Sequence, residues 1–515
     1  MAIRPSYLRF LFFSSVFILA PALYAQQSAH LQPAKSSTTP AKPAVKIPVG
    51  SQLLFGTLPL STKSLAARTN LEMALDQYEN ASFNEAVLHA KLATDKDPNF
   101  ALGYALWSFA ARRSQPDPDA LKKAKSLSSK CFGDECLMVT FLVGAQEANV
   151  LPAISAMNDL LAHRSKDKHV LYLTGEWLFF QQDYDGAKKL WVKSLAIDPD
   201  FPPALNMLGY ASVEGGQPEP KQAIEYLKRY AAVLPKDANP QDSLGEVLRM
   251  TGDDAGSLAH YAEALQIDPH MITSQYGRGD TYALMGDFFH AKSEYEKALK
   301  LSTNSRDTLH IQFELAMLNF WTGDVSGGRQ ALADLADKIS KDGDAASLFE
   351  VNFARALTAP DFATQRQLLQ SLESSLADVR PGMQAADRNA ALAAVLREEV
   401  RIAVLSHQPQ DAASSIQKLQ QLADDSRDLL VENISESAKG FISLATGDYP
   451  KASQQLSSDL HAPLVVCAYI QAQEKLRDSK TLESAQKQLQ YLRTPTVQWY
   501  IATHTANTSS QLITR

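Results

Sequence analysis

From about Ala67 onward, apolar residues return at i, i+3 and i+4. That spacing lines one face of a helix. Gly, Pro and Asp-Pro interrupt it at regular intervals, as at Asp97-Pro98, Asp198-Pro199 and Asp268-Pro269. No stretch alternates at period two, so no sheet is expected. The pattern is sharpest from Ala238 to Ser305. Two successive lines of sequence align there without a gap. Gly245 answers Gly279, Gly252-Asp253 answers Gly286-Asp287, Tyr261 answers Tyr295, and Ala264-Leu265 answers Ala298-Leu299, each pair 34 residues apart. Each Gly-Asp pair suits a helix end followed by a turn: Gly takes the left-handed conformation and Asp caps the next helix. Gly175, Gly209, Gly245 and Gly279 fall at one position of the first helix. A small residue there lets a neighbour approach closely.

Such a unit resembles the tetratricopeptide repeat, a helix–turn–helix of about 34 residues. The resemblance implies an all-α fold: a right-handed superhelix of antiparallel helix pairs, or α-solenoid. It covers Ala67 to Asp342 as eight hairpins, two of them poor copies around Gln115–Pro118 and Pro152. After Gly343 the period blurs while the helical spacing persists. Thr446-Gly447-Asp448-Tyr449 brings the signature back once. The expected layout is therefore a repeat array over 51–342, a divergent helical part over 343–502, and a flexible tail over 503–515.

In this family the first helix of each pair lines the concave face. Carried over by register, that face includes Tyr172, Glu176, Asn206, Tyr210, Asp242, Glu246, Arg249, Tyr276, Asp280 and Phe313, with Phe179, Met317 and Phe320 beside them. An aromatic lining with carboxylates suits a partner segment with apolar anchors and basic residues. Members that clamp a terminal carboxylate use Lys, Arg and Asn at these positions. Only Asn206 and Arg249 are available here, so that mode is not expected.

Composition narrows the setting. The chain has 515 residues and a net charge of −7, which argues against binding nucleic acid. Arg4 and Arg9 precede an apolar run from Phe10 to Ala20, then Pro21 and Ala22-Leu23-Tyr24-Ala25. The uncharged run to Tyr24 is about 15 residues, short of the roughly 20 that span a bilayer. A cleaved secretory signal is expected over 1–25, with an uncleaved anchor as the alternative. Residues 26–50 hold almost no large apolar group and read as a disordered linker.

Cys131 and Cys136 bracket Phe132-Gly133-Asp134-Glu135. On a continuous helix they could not bridge. A turn at Gly133-Asp134 would bring them within disulfide reach, and export permits oxidation. Both readings stand, bridged or reduced. No metalloprotease, phosphate-loop or nucleophile-elbow motif occurs, and His163 and His169 are only close in sequence. No catalytic residue, metal or cofactor is expected. The leading expectation is an exported, periplasmic or envelope-associated scaffold that binds proteins or peptide segments. The alternatives are an enzyme with its chemistry in 343–515, and a structural spacer.

Overall fold

The computed structural model describes residues 58–113, 116–214, 218–303, 305–342, 345–377 and 383–504. The expected signal segment, the linker and residues 505–515 lie outside these. Among the described residues there are twenty-five α-helices and no strand. Twelve pairs follow one another. The first four are α1 (Leu65–Glu79) with α2 (Phe83–Lys96), α3 (Ala101–Ala111) with α4 (Pro118–Leu127), α5 (Asp134–Gly144) with α6 (Leu151–His163), and α7 (Lys168–Phe180) with α8 (Tyr184–Ile197). The next four are α9 (Pro202–Glu214) with α10 (Pro220–Val233), α11 (Asn239–Thr251) with α12 (Asp254–Ile267), α13 (Ile272–Met285) with α14 (Phe288–Leu301), and α15 (Ser305–Trp321) with α16 (Val325–Asp342). The last four are α17 (Ala345–Leu357) with α18 (Phe362–Ala377), α19 (Ala385–Leu405) with α20 (Ala413–Ser426), α21 (Leu429–Ala445) with α22 (Tyr449–Leu456), and α23 (Pro463–Leu476) with α24 (Ser479–Tyr491). A single helix, α25 (Val497–His504), ends the described chain. Stacking continues without interruption from α16 onto α17, so the stretch after 342 extends the array. None of these helices is long and apolar enough to cross a membrane.

The turns form as their residues dictate. Gly252 and Gly286 sit at φ of 86° and 81°, and each ends a first helix. The Asp that follows caps the second helix: Asp253 accepts from the Gly256 N–H at 2.9 Å, and Asp287 from the His290 N–H at 3.2 Å. Asp183 does the same for Gly186, although Gln182 stands where Gly252 and Gly286 stand in their units. The Cys131–Cys136 bridge is formed, with Cα atoms 5.2 Å apart across the turn at Gly133. Ahead of α1, Leu58 and Leu60 are buried in the first core, and Ser61 donates to Glu135 through both its N–H and its hydroxyl.

The small positions do what close packing requires. A Cβ on Gly175 would stand 2.6 Å from the Trp191 indole nitrogen, and one on Gly279 would stand 2.6 Å from two ring carbons of Tyr295. Two layers result. First helices form the inner layer and are buried almost all round; in α9 every residue from Pro203 to Glu214 is buried. Second helices form the outer layer and bury one stripe, as Ala223, Leu227 and Tyr230 do in α10.

The array also meets itself. The ends of early first helices touch the beginnings of late ones. Arg112 ion-pairs with Asp387 at 2.5 Å, the Ala386 N–H donates to the Gln146 carbonyl at 3.3 Å, and the Val150 N–H donates to the Ser426 carbonyl at 2.9 Å. Further on, the Leu430 N–H donates to Gln181, the Tyr184 and His461 rings meet at a tilt with centroids 4.4 Å apart, and Arg493 pairs with Asp254 at 2.5 Å. Arg493 also donates to the carbonyls of Arg249 and Leu284, in the last turns of α11 and α13. A cation there is favoured by the helix dipole. Apart from Arg493 and Leu284, which are 209 residues apart, the side chains on this seam reach partners 239 to 277 residues away. That is about seven to eight repeats of 34 residues. One superhelical turn therefore closes against the next.

Gly279→Ala should lower stability by about 1–3 kcal/mol, because the new methyl overpacks the buried Tyr295 ring. A thermal melt checks this. An unchanged midpoint would mean that the ring yields freely and the close approach is not a constraint.

Candidate functional site: the inner face of the first helices

The ten residues expected on an open concave lining are all buried, none more than 5% exposed. Glu176 borders a pocket formed with Arg112, Arg113, Trp177 and Asp428, and neighbouring helices cover all ten side chains. They contact neighbouring repeats instead. Tyr172 donates to the Glu79 carbonyl at 3.3 Å, and Glu176 accepts from the Tyr78 hydroxyl at 2.8 Å, two helix pairs joined across the interior. Tyr210 donates to Glu246 at 3.0 Å. Asp242 accepts from Thr273 at 3.2 Å and from Ser274. Arg249 bridges Glu246 and Asp280, and Asp280 also accepts from the Tyr295 hydroxyl at 2.9 Å. Tyr276 packs edge-on to His310, ring centroids 4.8 Å apart. Phe313 sits in the core formed by α15 to α19. Asn206 is buried in α9.

Two members of this lining escaped the sequence reading. Stepping 34 residues from Glu246 to Asp280 leads to Glu314, and Glu350 follows 36 further on. Glu314 is buried, and the carboxyl groups of Asp280 and Glu350 both act on it. Phe313, Met317 and Phe320 each lie three residues, about one helical turn, past the positions reached 34 residues on from Tyr276, Asp280 and Ala283. The unbroken 34-residue step would have found Glu314.

Burial sets the ionisation of this interior. Desolvation pushes Glu176 up to about 7, against the pull of Arg113 and the hydrogen bond from Tyr78. It pushes Asp428, beside the seam, up to about 6. Asp280 is raised by burial despite Arg249, and Glu314 is raised further by burial and by its acidic neighbours. The histidines do not assemble a metal centre. His163 bonds Asp134 at the surface, while His169 is buried against Glu79 at 2.8 Å. Among the described residues no three His, Cys, Asp or Glu groups cluster as metal ligands.

The last described helix, α25, lies against the inner face at α15. Val497 is buried in one core with Phe313, Met317 and Phe320. The Tyr500 ring lies 5.7 Å from that of Phe320 and 5.4 Å from that of Trp321, and His504 meets Trp321 at 4.8 Å. On its other side Trp499 packs with Val466 and Leu492. Ile501 and Ala502 close a small cavity against Phe441, Leu444 and Leu464. The helix is thus held between α15 on one side and α21 and α23 on the other. It also extends into the stretch expected as tail.

These stacked antiparallel hairpins, with Gly-Asp turns and small-residue contacts, define a tetratricopeptide-repeat-like α-solenoid. No family model matches the chain. It is 29% identical over 110 residues to Protein FlbA of Caulobacter vibrioides, a match covering 21% of this chain and 18% of that relative. Among solved structures it is similar to a tetratricopeptide repeat protein from Parabacteroides merdae, at 14% identity, TM-score 0.34, over 56% of this chain and 99% of the other. A thermophilic repeat protein of Thermus thermophilus matches at 24% identity, TM-score 0.30, over 34% and 93%. The Cut9–Hcn1 hetero-tetramer matches at 16% identity, TM-score 0.34, over 80% and 76%.

Two tests follow from the buried charges. Glu176 is raised from 4.5 to about 7 on folding. A raised carboxyl stabilises the fold below its unfolded value, and that contribution is lost as pH rises through the folded one. Denaturant unfolding should therefore show about 1 kcal/mol more stability at pH 6.5 than at pH 8 from this group, and Glu176→Gln should reduce the difference, the rest remaining with Glu314 and Asp428. His310, held down to about 3 by burial, acts in the opposite sense but only below about 6.5. Stability that instead increases toward pH 8 in the parent would remove the assignment. Separately, Arg249→Leu strands Asp280 and Glu246 and should cost about 3–5 kcal/mol. A loss under 1 kcal/mol, measured the same way, would mean that the bridge contributes little.

Proposed function

We propose that this chain is an exported scaffold of the bacterial periplasm or envelope that binds other proteins by seating a helical segment on its inner face. The observation that carries the reading is the seat of α25. Val497, Tyr500, Ile501 and His504 are spaced i, i+3, i+4 and i+7, the anchor pattern of a helix laid in a groove. Tyr500 and His504 rest on aromatic rings of α15. The carboxylates of the lining are bonded to neighbouring repeats, so the seat selects a partner by apolar and aromatic anchors rather than by charge. The basic, apolar segment at the N-terminus and the net charge of −7 support export to an aqueous compartment.

A labelled peptide of residues 494–506 tests the seat. It should bind a Tyr500→Ala variant at least about tenfold more tightly than the parent, where the resident helix competes at high effective concentration. A photo-crosslinker at its Tyr500 position should label α15. Equal affinity for both proteins, or labelling confined to the outer helices, would sink the reading. Export is checked by cell fractionation and N-terminal sequencing. A mature chain starting at Gln26 in the periplasm is expected, and an intact chain in the cytoplasm would remove the envelope from the proposal.

A further inference from the structure

A cavity of about 250 Å³ opens between α17, α18 and the start of α19. No residue of α25 lines it, although Phe349, Leu372 and Leu376 belong to the same hydrophobic core as Val497. Its walls include Phe349, Leu372, Leu376 and Met383, and two arginines, Arg355 and Arg388, line it with them. Leu348, Asn352 and Arg355 run along α17 at i, i+4 and i+7 with Phe349 beside them, and Leu372 and Leu376 are one turn apart on α18. A second helix normally covers such a stripe against the next unit. Here the pair stands apart far enough to leave an apolar hollow.

The charges at this hollow are unbalanced. Arg355 donates to the Asn352 side-chain oxygen at 2.7 Å, a neutral acceptor. Arg388 is the one arginine of α19 without a carboxylate partner among the described residues. Arg397 is held by Asp459, and Arg401 by Glu398 at 2.6 Å. The neighbouring Asp387 is turned away to Arg112 across the seam. So two guanidinium groups share this largely apolar cavity, and no acid is among its described lining residues, in a chain of net charge −7. Guanidinium groups bind carboxylates in a planar, charge-assisted geometry. The volume lies just below the roughly 300–1,000 Å³ of drug-sized ligand pockets, so the occupant is small.

We infer that this cavity is a binding site for a small amphiphilic monocarboxylate, its apolar chain against Phe349, Leu372 and Leu376 and its carboxylate on Arg355 and Arg388. Octanoate and octanol serve as probes, because they differ only at the head group. In calorimetric titration of the full chain, octanoate should bind once and at least about tenfold more tightly than octanol, the margin of a charge-assisted hydrogen bond. Arg388→Gln and Arg355→Gln should each bring octanoate down toward octanol. Ser371→Trp, at an exposed position on the rim, should block both probes while leaving the helical signal unchanged. Equal binding of the two probes to the parent, unchanged octanoate binding to the arginine variants, or no binding at millimolar concentration would overturn the assignment. The peptide experiment on the α25 seat reads a different surface, so either result can fail without the other.

Discussion

Every helical hairpin in this chain has two apolar faces and can cover neither by itself. Stability in such an array comes from contact with the units on each side. The constraint is simple at the middle and severe at the ends. This chain meets it by winding tightly enough that one turn rests on the next. Arg112 finds Asp387, Val150 finds Ser426, and Arg493 takes the ends of α11 and α13. α25 then fills the space that the winding encloses. Leu58 and Leu60 serve the other end, packed beside α1 in the first core.

Tight winding has an electrostatic cost. It turns the inner layer, which an open superhelix would expose to water, into an interior. Glu176, Glu246, Asp280, Glu314 and Glu350 are all buried there, and Arg249 is the cation that bridges two of them. Isolated charges cannot persist in such a place; they pair, bond or take up a proton. Arg249 and Tyr295 hold Asp280, Tyr78 holds Glu176, and the raised values of Glu176 and Glu314 reflect the remaining strain toward the neutral form.

Much of the local structure could be read from the residues. Gly252-Asp253 and Gly286-Asp287 announce a left-handed residue and a cap, and both formed. Gly175 and Gly279 mark close approach, and aromatic rings lie against them. These signals work because they concern residues within one unit. The seam could not be read in the same way. Arg112 and Asp387 are 275 residues apart, and nothing near either one names its partner. The burial of the lining was hidden for a related reason. Repeat register says which side of a helix faces inward, while superhelical pitch says whether that side meets water. Pitch accumulates from small rotations at every interface, and no single residue encodes it. Phe313 shows the remaining weakness: a slip of one helical turn in register exchanges a core aromatic for a lining carboxylate.

The seam changes what kind of object the array is. A free solenoid is a line, in which each rung knows only its neighbours and the terminal rungs peel first. Contacts one full turn apart give each rung along the seam a second set of neighbours and make the stack a coil locked to itself, like the turns of a rope under its own lashing. The rungs that would be the natural places to start unravelling are tied to rungs in the interior of the sequence. Loss of order should then travel across turns as well as along the chain, so that an array built from modular pieces gives way as one body.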